Sequence, residues 1–319
     1  YDKIEKEPDI AAFEAARSSA RKFEPDAVVG LGGGSALDVA KLVAAMADRE
    51  DNVTDFFGIN FLPPRNLPLY CLPTTSGTGS EVSPNAILLD EDESLKKGIV
   101  SPYLMPDGAY IDPELTWSVP PAVTAATGVD ALTHCIEAFA NKHAHPIIDS
   151  YALIGIERIC QSLESAIAEG TNREARADVA MGSVYGGICL GPVNTGGVHA
   201  LSYPLGGEFH IPHGVSNAIL LPHVLEFNLP AAPDRYARIA RTIGIADKGS
   251  EKDLAAAGID WLFEFVRKCG IPQHLAEFGI EEKHVPHLAG EAMKVTRLLV
   301  NNPREITEED AQAIYRKAL

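Results

Sequence analysis

The chain has 319 residues, 46% of them hydrophobic, which is enough to bury a sizeable core and, at that length, to divide into two domains. A formal net charge of −17 excludes nucleic-acid or anionic-membrane partners that would be held by a basic patch. No run approaches the roughly 18 uninterrupted apolar residues of a spanning helix, and Tyr1-Asp2-Lys3-Ile4-Glu5-Lys6 has no signal-peptide pattern.

In chain order, residues 10–23 read as a helix, 27–31 as a buried strand and 37–46 as the helix that follows it. Further strands are predicted at 67–72 and 86–89, so strand, glycine turn and helix alternate as in α/β folds. From Pro121 the grammar changes to long helical periods. Ala152, Ile156, Ile159, Leu163 and Ile167 recur every three or four residues, with Gly170 where a C-cap is expected. Another helix covers 254–268 and stops at Cys269-Gly270-Ile271-Pro272, and the last opens on Thr307-Glu308-Glu309-Asp310, a cap with acids in the first turn. No strand is expected after Pro120. The reading is an α/β domain over 1–118, followed by an all-helical domain over 119–319; the loops and side chains below make the first dinucleotide-binding and the second metal-binding. The five cysteines, odd in number and without a CxxC pair, read as reduced thiols of a cytoplasmic protein.

Gly30-Leu31-Gly32-Gly33-Gly34-Ser35-Ala36-Leu37-Asp38 joins a predicted strand to a predicted helix. Glycines let backbone N–H groups approach a diphosphate, and the helix N-terminus adds partial positive charge. Ser35 stands where the dinucleotide fingerprint wants Gly or Ala, so that pattern is not met literally, and a ligand-free tight turn is the plainer alternative. A second loop, Pro73-Thr74-Thr75-Ser76-Gly77-Thr78-Gly79-Ser80-Glu81, also follows a strand. Two such loops belong at the carboxyl ends of a parallel sheet, where open α/β folds bind ligands.

Asp130 and His134 are four residues apart, on one face of a helix, as two ligands of one ion would need. An exposed Asp–His pair has the same spacing. The apolar, Gly-rich stretch Gly196-Gly197-Val198-His199 and His210-Ile211-Pro212-His213-Gly214 adds three histidines, whose surroundings call for a partner such as a divalent cation. One carboxylate with three imidazoles suits Fe²⁺ or Zn²⁺. Spacing leaves open whether His210 or His213 is the ligand. His143, His145, His223, His274, His284 and His287 lie in polar or loop contexts and read as surface or capping residues.

GLGGGSALDVAK, LPTTSGTGSEV, ATGVDALTHCIEA and the stretch from GGVHALSYPLGG through HIPHGVSNAILLPHV, in that order, resemble the iron-containing alcohol dehydrogenases. Their superfamily includes glycerol dehydrogenase and dehydroquinate synthase. The resemblance implies a nucleotide-binding α/β domain, a helical domain and a site in the cleft between them. It implies Asp130, His134, His199 and His213 as metal ligands, Gly33, Gly34, Ser35 and Asp38 as the diphosphate loop, and Thr74, Thr75, Thr78 and Lys96 as further cofactor contacts. The implied activity is hydride transfer between a primary alcohol or aldehyde and NAD or NADP, with Fe²⁺ or Zn²⁺, in a homodimer or higher homo-oligomer.

The sequence departs from the family twice. A His discussed as a proton relay in many members is Tyr203 here, with His210 as a substitute for the role. Only one helix precedes the glycine-loop strand, so the dinucleotide domain is expected to be incomplete at its N-terminus, with that strand at an exposed edge and the NAD/NADP-selecting residue outside the sequence. A dehydroquinate synthase-like lyase, a metal-free maleylacetate-type reductase and a non-enzymatic metal-binding scaffold are the alternatives. The first would need a Lys/Arg cluster near the ligands, and the sequence indicates none.

Overall fold

The computed structural model describes residues 1–4, 8–90 and 95–319. Its first part contains α1 (Ile10–Phe23), β1 (Val28–Gly32), α2 (Gly34–Met46), β2 (Gly58–Ile59), β3 (Leu69–Pro73), β4 (Asn85–Asp90), β5 (Leu95–Val100) and β6 (Gly108–Ala109). One sheet is parallel, in the order β1-β3-β6, with Val28 opposite Leu69 and Gly32 opposite Pro73. In the other, β5 lies between β2, which is parallel to it, and β4, which is antiparallel.

The short helix α2 holds this part together because almost all of it is apolar. Leu37, Leu42 and Met46 have no exposed surface, each worth about 1.5–3 kcal/mol of burial. Arg17 of α1 ties the two helices: its guanidinium donates to the Met46 and Asp51 carbonyls, both at 2.9 Å, and to that of Arg49. These carbonyls lie at and beyond the α2 C-terminus, where a cation is favoured.

Residues 27–31 form a strand as expected; it is not the buried strand its apolar run suggested but lies at the exposed edge that was also expected. β1 is the sheet edge, and Val29 and Leu31 on its outward side are 61% and 59% exposed. Three strands escaped the sequence reading. β2 and β6 have two residues each, and in β5 Lys96, Lys97 and Gly98 interrupt the apolar pattern.

After Pro120 the described residues contain no strand. The helices are α3 (Pro121–Ala140), α4 (Pro146–Ala168), α5 (Arg173–Leu190), α6 (Gly197–Phe209), α7 (His213–Asn228), α8 (Pro233–Thr242), α9 (Glu251–Lys268), α10 (Val285–Met293), α11 (Thr296–Leu299) and α12 (Glu308–Ala318). The α4 stripe Ala152, Ile156, Ile159 and Leu163 is wholly buried. Its C-cap is Glu169 rather than Gly170, closed by the Glu169 N–H donating to the Ser165 carbonyl at 2.9 Å. α9 begins earlier than its apolar period because Ser250 and Asp253 form a capping box, as Thr307 and Asp310 do for α12. α3 is buried nearly throughout, which takes its polar residues into the interior. Among the described residues no helix is long and apolar enough to cross a membrane, and all five cysteines are free.

Candidate metal and cofactor site

β1 and β3 are parallel neighbours, so the loops that follow them leave the same edge of the sheet. The Thr74 N–H donates to the Gly32 carbonyl at 2.9 Å and ties the two loops at their roots. α2 opens after Gly33 with no side chain capping it, and Gly33, Gly34 and Ser35 line a cavity of about 440 Å³. A methyl group on Gly34 would sit 2.5 Å from Thr78 Cγ2, so glycine there first lets the loops touch. Thr75 and Thr78 line the cavity; Thr74 does not.

Asp38 also borders the cavity, but both its oxygens are used within the fold. Oδ1 accepts from Ser80 Oγ at 2.5 Å and Oδ2 from the Ile87 N–H at 2.9 Å. Burial pushes its carboxyl up, against the pull of Lys41. Lys41, with no exposed surface, donates to the Ser83 and Asn85 carbonyls at 2.8 Å each. The pair fastens α2 to the second loop and β4; Asp38 is a brace for the cofactor loops more than a lining group. Lys96 on β5 is buried and lines the cavity.

At the other end of the cavity stand Asp130, His134, His199, Tyr203 and His213. α3 carries Asp130 and His134 one turn apart, and Glu137 nearly one turn further on. α6 contributes His199, and His213 is the first residue of α7. Donor atoms of Asp130, His199 and His213 lie within 4.8 Å of one another. His134 stands beside them with its ring stacked on His199, the centroids 4.7 Å apart. Spacing left His210 and His213 open and the resemblance implied His213; of the two, the structure brings His213 to the cluster. His210 is exposed, takes a left-handed φ of 53° as the C-cap of α6 and does not line the cavity. Its expected relay role fails on position.

Burial pushes His134 down to about 4 and His213 down to about 3, so both rings are neutral near pH 7 with lone pairs to give. Burial raises Asp130, but the three imidazoles and the Asn217 amide outweigh it, and its net shift is downward. Asn217, one turn beyond His213, points its Nδ2 at Asp130 Oδ1 (2.6 Å), His199 Nε2 (3.1 Å) and His213 Nε2 (3.1 Å). Three acceptors thus converge on one amide nitrogen, while buried Asn217 Oδ1 has no hydrogen-bond partner among the described residues. Acceptors converging on one point, one a carboxylate oxygen and the others imidazole nitrogens, fit a divalent cation.

Glu137 sets the His199 ring. Its Oε2 is 2.5 Å from His199 Nδ1, and its Oε1 accepts the Val198 N–H at 2.7 Å. With the hydrogen on Nδ1 and donated to Glu137, the Nε2 lone pair is on the side of Asp130. Asn302 Oδ1 accepts the Gly197 N–H at 3.2 Å and completes the anchoring of the first turn of α6.

Tyr203, one turn beyond His199, is buried with its ring 6.1 Å from that of His213, and its hydroxyl accepts from Arg297 Nη2 at 2.8 Å. Arg297 borders the cavity too. The expectation of no Lys/Arg group near the ligands is therefore corrected: Lys96 and Arg297 come from segments remote in sequence and meet only in the fold.

Sequence reasoning missed Glu137, Asn217 and Arg297. The first two had a signal, since Asp130, His134 and Glu137 form one helical stripe and Asn217 repeats His213 after one turn. Arg297 had none. Of the remaining histidines, His145 and His284 cap backbone N–H groups and His287 meets Glu208 at the surface. His223 departs from expectation: it is half-buried, edge-on to Phe263 with centroids 5.0 Å apart.

Residues 124–319 match the C-terminal profile of the Fe-containing alcohol dehydrogenase family, and residues 1–113 match iron-containing alcohol dehydrogenase. Long-chain-alcohol dehydrogenase 1 of Geobacillus thermodenitrificans is 42% identical over 322 residues, spanning all of this chain and 81% of that protein. A crystal structure of 1,3-propanediol oxidoreductase superposes with a TM-score of 0.97 at 36% identity, covering 100% of this chain and 84% of the other. Sulfoacetaldehyde reductase from Bifidobacterium kashiwanohense, in complex with NAD⁺, gives 0.89 at 34% identity, over 99% of this chain and 82% of that one. With its whole length accounted for in this way, the chain belongs to the iron-containing alcohol dehydrogenase family.

Proposed function

We propose that the chain interconverts a primary alcohol and its aldehyde, using NAD or NADP and one divalent ion, Fe²⁺ by family and Zn²⁺ by ligand chemistry, held by Asp130, His134, His199 and His213. The observation that carries this is one cavity with two unlike ends: a glycine loop opening a helix at one, an Asp/His cluster at the other. NAD is the cofactor in the complex of the sulfoacetaldehyde reductase relative, which supports the same choice here.

When bound, the ion supplies Lewis acidity to the substrate oxygen and the nicotinamide supplies or takes the hydride. The rest falls to the chain. Gly33, Gly34, Ser35 and the start of α2 hold the diphosphate, and Thr75 and Thr78 hold the adjoining cofactor groups. His134 and His213, neutral near pH 7, keep their lone pairs. Tyr203, whose oxygen is occupied by the Arg297 donor, keeps its own hydrogen to give to the substrate oxygen when an aldehyde is reduced.

The test is steady-state oxidation of NADH and NADPH with a panel of short aldehydes, on protein loaded with Fe²⁺ or Zn²⁺ and on chelated protein. Turnover is expected only in the loaded forms. His199→Ala should lose metal and turnover together, with helical content kept by circular dichroism. Wild-type metal content in that variant would defeat the ligand assignment, and loaded wild-type protein that oxidises neither cofactor would defeat the function.

A further inference from the structure

The substrate end of the cavity holds a charge that the reaction itself does not need. Arg297 is half-buried there, and among the described residues its one side-chain hydrogen bond is the donation to the Tyr203 hydroxyl. A guanidinium carries five N–H donors. Among the described residues no carboxylate pairs with it; Arg49, Arg176 and Arg304 lack one too, but backbone carbonyls accept from their guanidinium groups, and none accepts from that of Arg297. A half-buried cation without a counter-ion is costly to maintain unless something anionic visits it.

The surroundings are shaped to keep it there. A methyl group on Gly98, in the middle of β5, would lie 3.1 Å from Ile87 Cδ1 and 3.4 Å from Arg297 Nη2, so the guanidinium packs within contact distance of this strand position. Lys96 is two residues earlier, hence on the same face of β5, and lines the same cavity. A methyl group on Gly206 would sit 2.8 Å from its Nζ. Two cationic side chains thus meet at one wall, each beside a residue without a side chain. The diphosphate end has its own donors in the glycine loop, whereas Arg297 touches Tyr203, next to His213.

We propose that Arg297 is a specificity residue that pairs with an oxyanion, a carboxylate, sulfonate or phosphate, at the far end of a short aldehyde or alcohol substrate. This rests on the alcohol–aldehyde reading above. With the reacting oxygen at the Asp/His cluster, the anionic tail lies against the Lys96–Arg297 wall, where a guanidinium and an oxyanion form two parallel hydrogen bonds. A cavity of about 440 Å³ that also admits the nicotinamide leaves space for only a few carbons between the two groups. The chemistry is the same balanced step for any tail: hydride to the carbonyl carbon, a proton to its oxygen, NAD(P)H oxidised and the aldehyde reduced.

The experiment compares two four-carbon aldehydes, succinate semialdehyde and butanal, on Fe²⁺-loaded enzyme with NADH. The quantity read is the ratio of their kcat/KM values, so that any disturbance of Tyr203 common to both substrates cancels. Wild type should favour the carboxylate by at least about 30-fold, and Arg297→Gln should lower that ratio by about 30–100-fold, mostly through KM, as loss of a charged pair predicts. Arg297→Lys should restore part of it. A wild-type ratio near one, or a ratio unmoved by Arg297→Gln, overturns the proposal and leaves the dehydrogenase reading intact. If wild type turned over neither aldehyde, the dehydrogenase reading would fail, and calorimetric binding of 4-hydroxybutyrate and 1-butanol would decide this one. Selective binding of the carboxylate that Arg297→Gln abolishes supports it, and binding without selectivity, or none, overturns it.

Discussion

Glu137 uses its two carboxylate oxygens on two different tasks, one closing the first turn of α6 and the other taking the Nδ1 hydrogen of His199. Helix start and ligand orientation therefore depend on one side chain. Glu137→Gln keeps the shape but has one acceptor oxygen for both donors. Metal affinity should fall about 10–100-fold, the range seen when groups behind a ligating histidine are lost. Equilibrium competition with a chelator measures this without recourse to turnover, and an unchanged affinity would reduce Glu137 to a helix cap. The same scale shows why some site residues were legible and others not. Asp130, His134, His199 and His213 announce themselves as ionisable groups in apolar, Gly-rich stretches. Arg297 sits in Val295-Thr296-Arg297-Leu298, where nothing local tells a cavity wall from a surface.

At the scale of elements, the interface of α7 and α9 contains His223 against Phe263, with Nδ1 buried and lacking a partner among the described residues. Burial pushes His223 down to about 4, below the unfolded value near 6.5. Between those two pH values the unfolded chain takes up a proton that the folded chain refuses. Stability is thus lost as pH falls from about 6.5 to about 4, by up to about 1.4 kcal/mol per pH unit, and the loss levels off below. His223→Phe should flatten this part of the curve, measured as the difference in Tm between pH 6.5 and 4.5 on metal-free protein. Equal slopes would mean that the imidazole is solvated after all. The helices were the most legible elements, because a sustained 3.6 period and capping boxes such as Thr307–Asp310 state type and start together. The strands were less so. β5 hides its lining lysine in Leu95-Lys96-Lys97-Gly98, and β1 has the apolar run of a buried strand, so its edge position was legible only from the single helix before it and not from the strand itself.

Across the whole molecule, the α/β-then-helical order was readable from the change of period near Pro120, whereas the cation wall was not, since it joins β5 to the segment before α12. That wall lies inside a molecule of net charge −17, and the two act over different distances. An anionic ligand, NADH included, approaches through a repulsive far field and is attracted only once inside. The Debye length shrinks from about 30 Å at 0.01 M salt to about 10 Å at 0.1 M, so moderate salt removes the repulsion first. Stopped-flow measurements on metal-loaded enzyme should therefore show the NADH association rate rising over that range, the reverse of ordinary electrostatic steering, while the dissociation rate also rises. A rate that fell throughout would mean that the local cations govern the approach from the start. A cavity built in this way works as a recessed trap: the surface discourages arrival from afar, and the few positive groups inside act only on what has already entered.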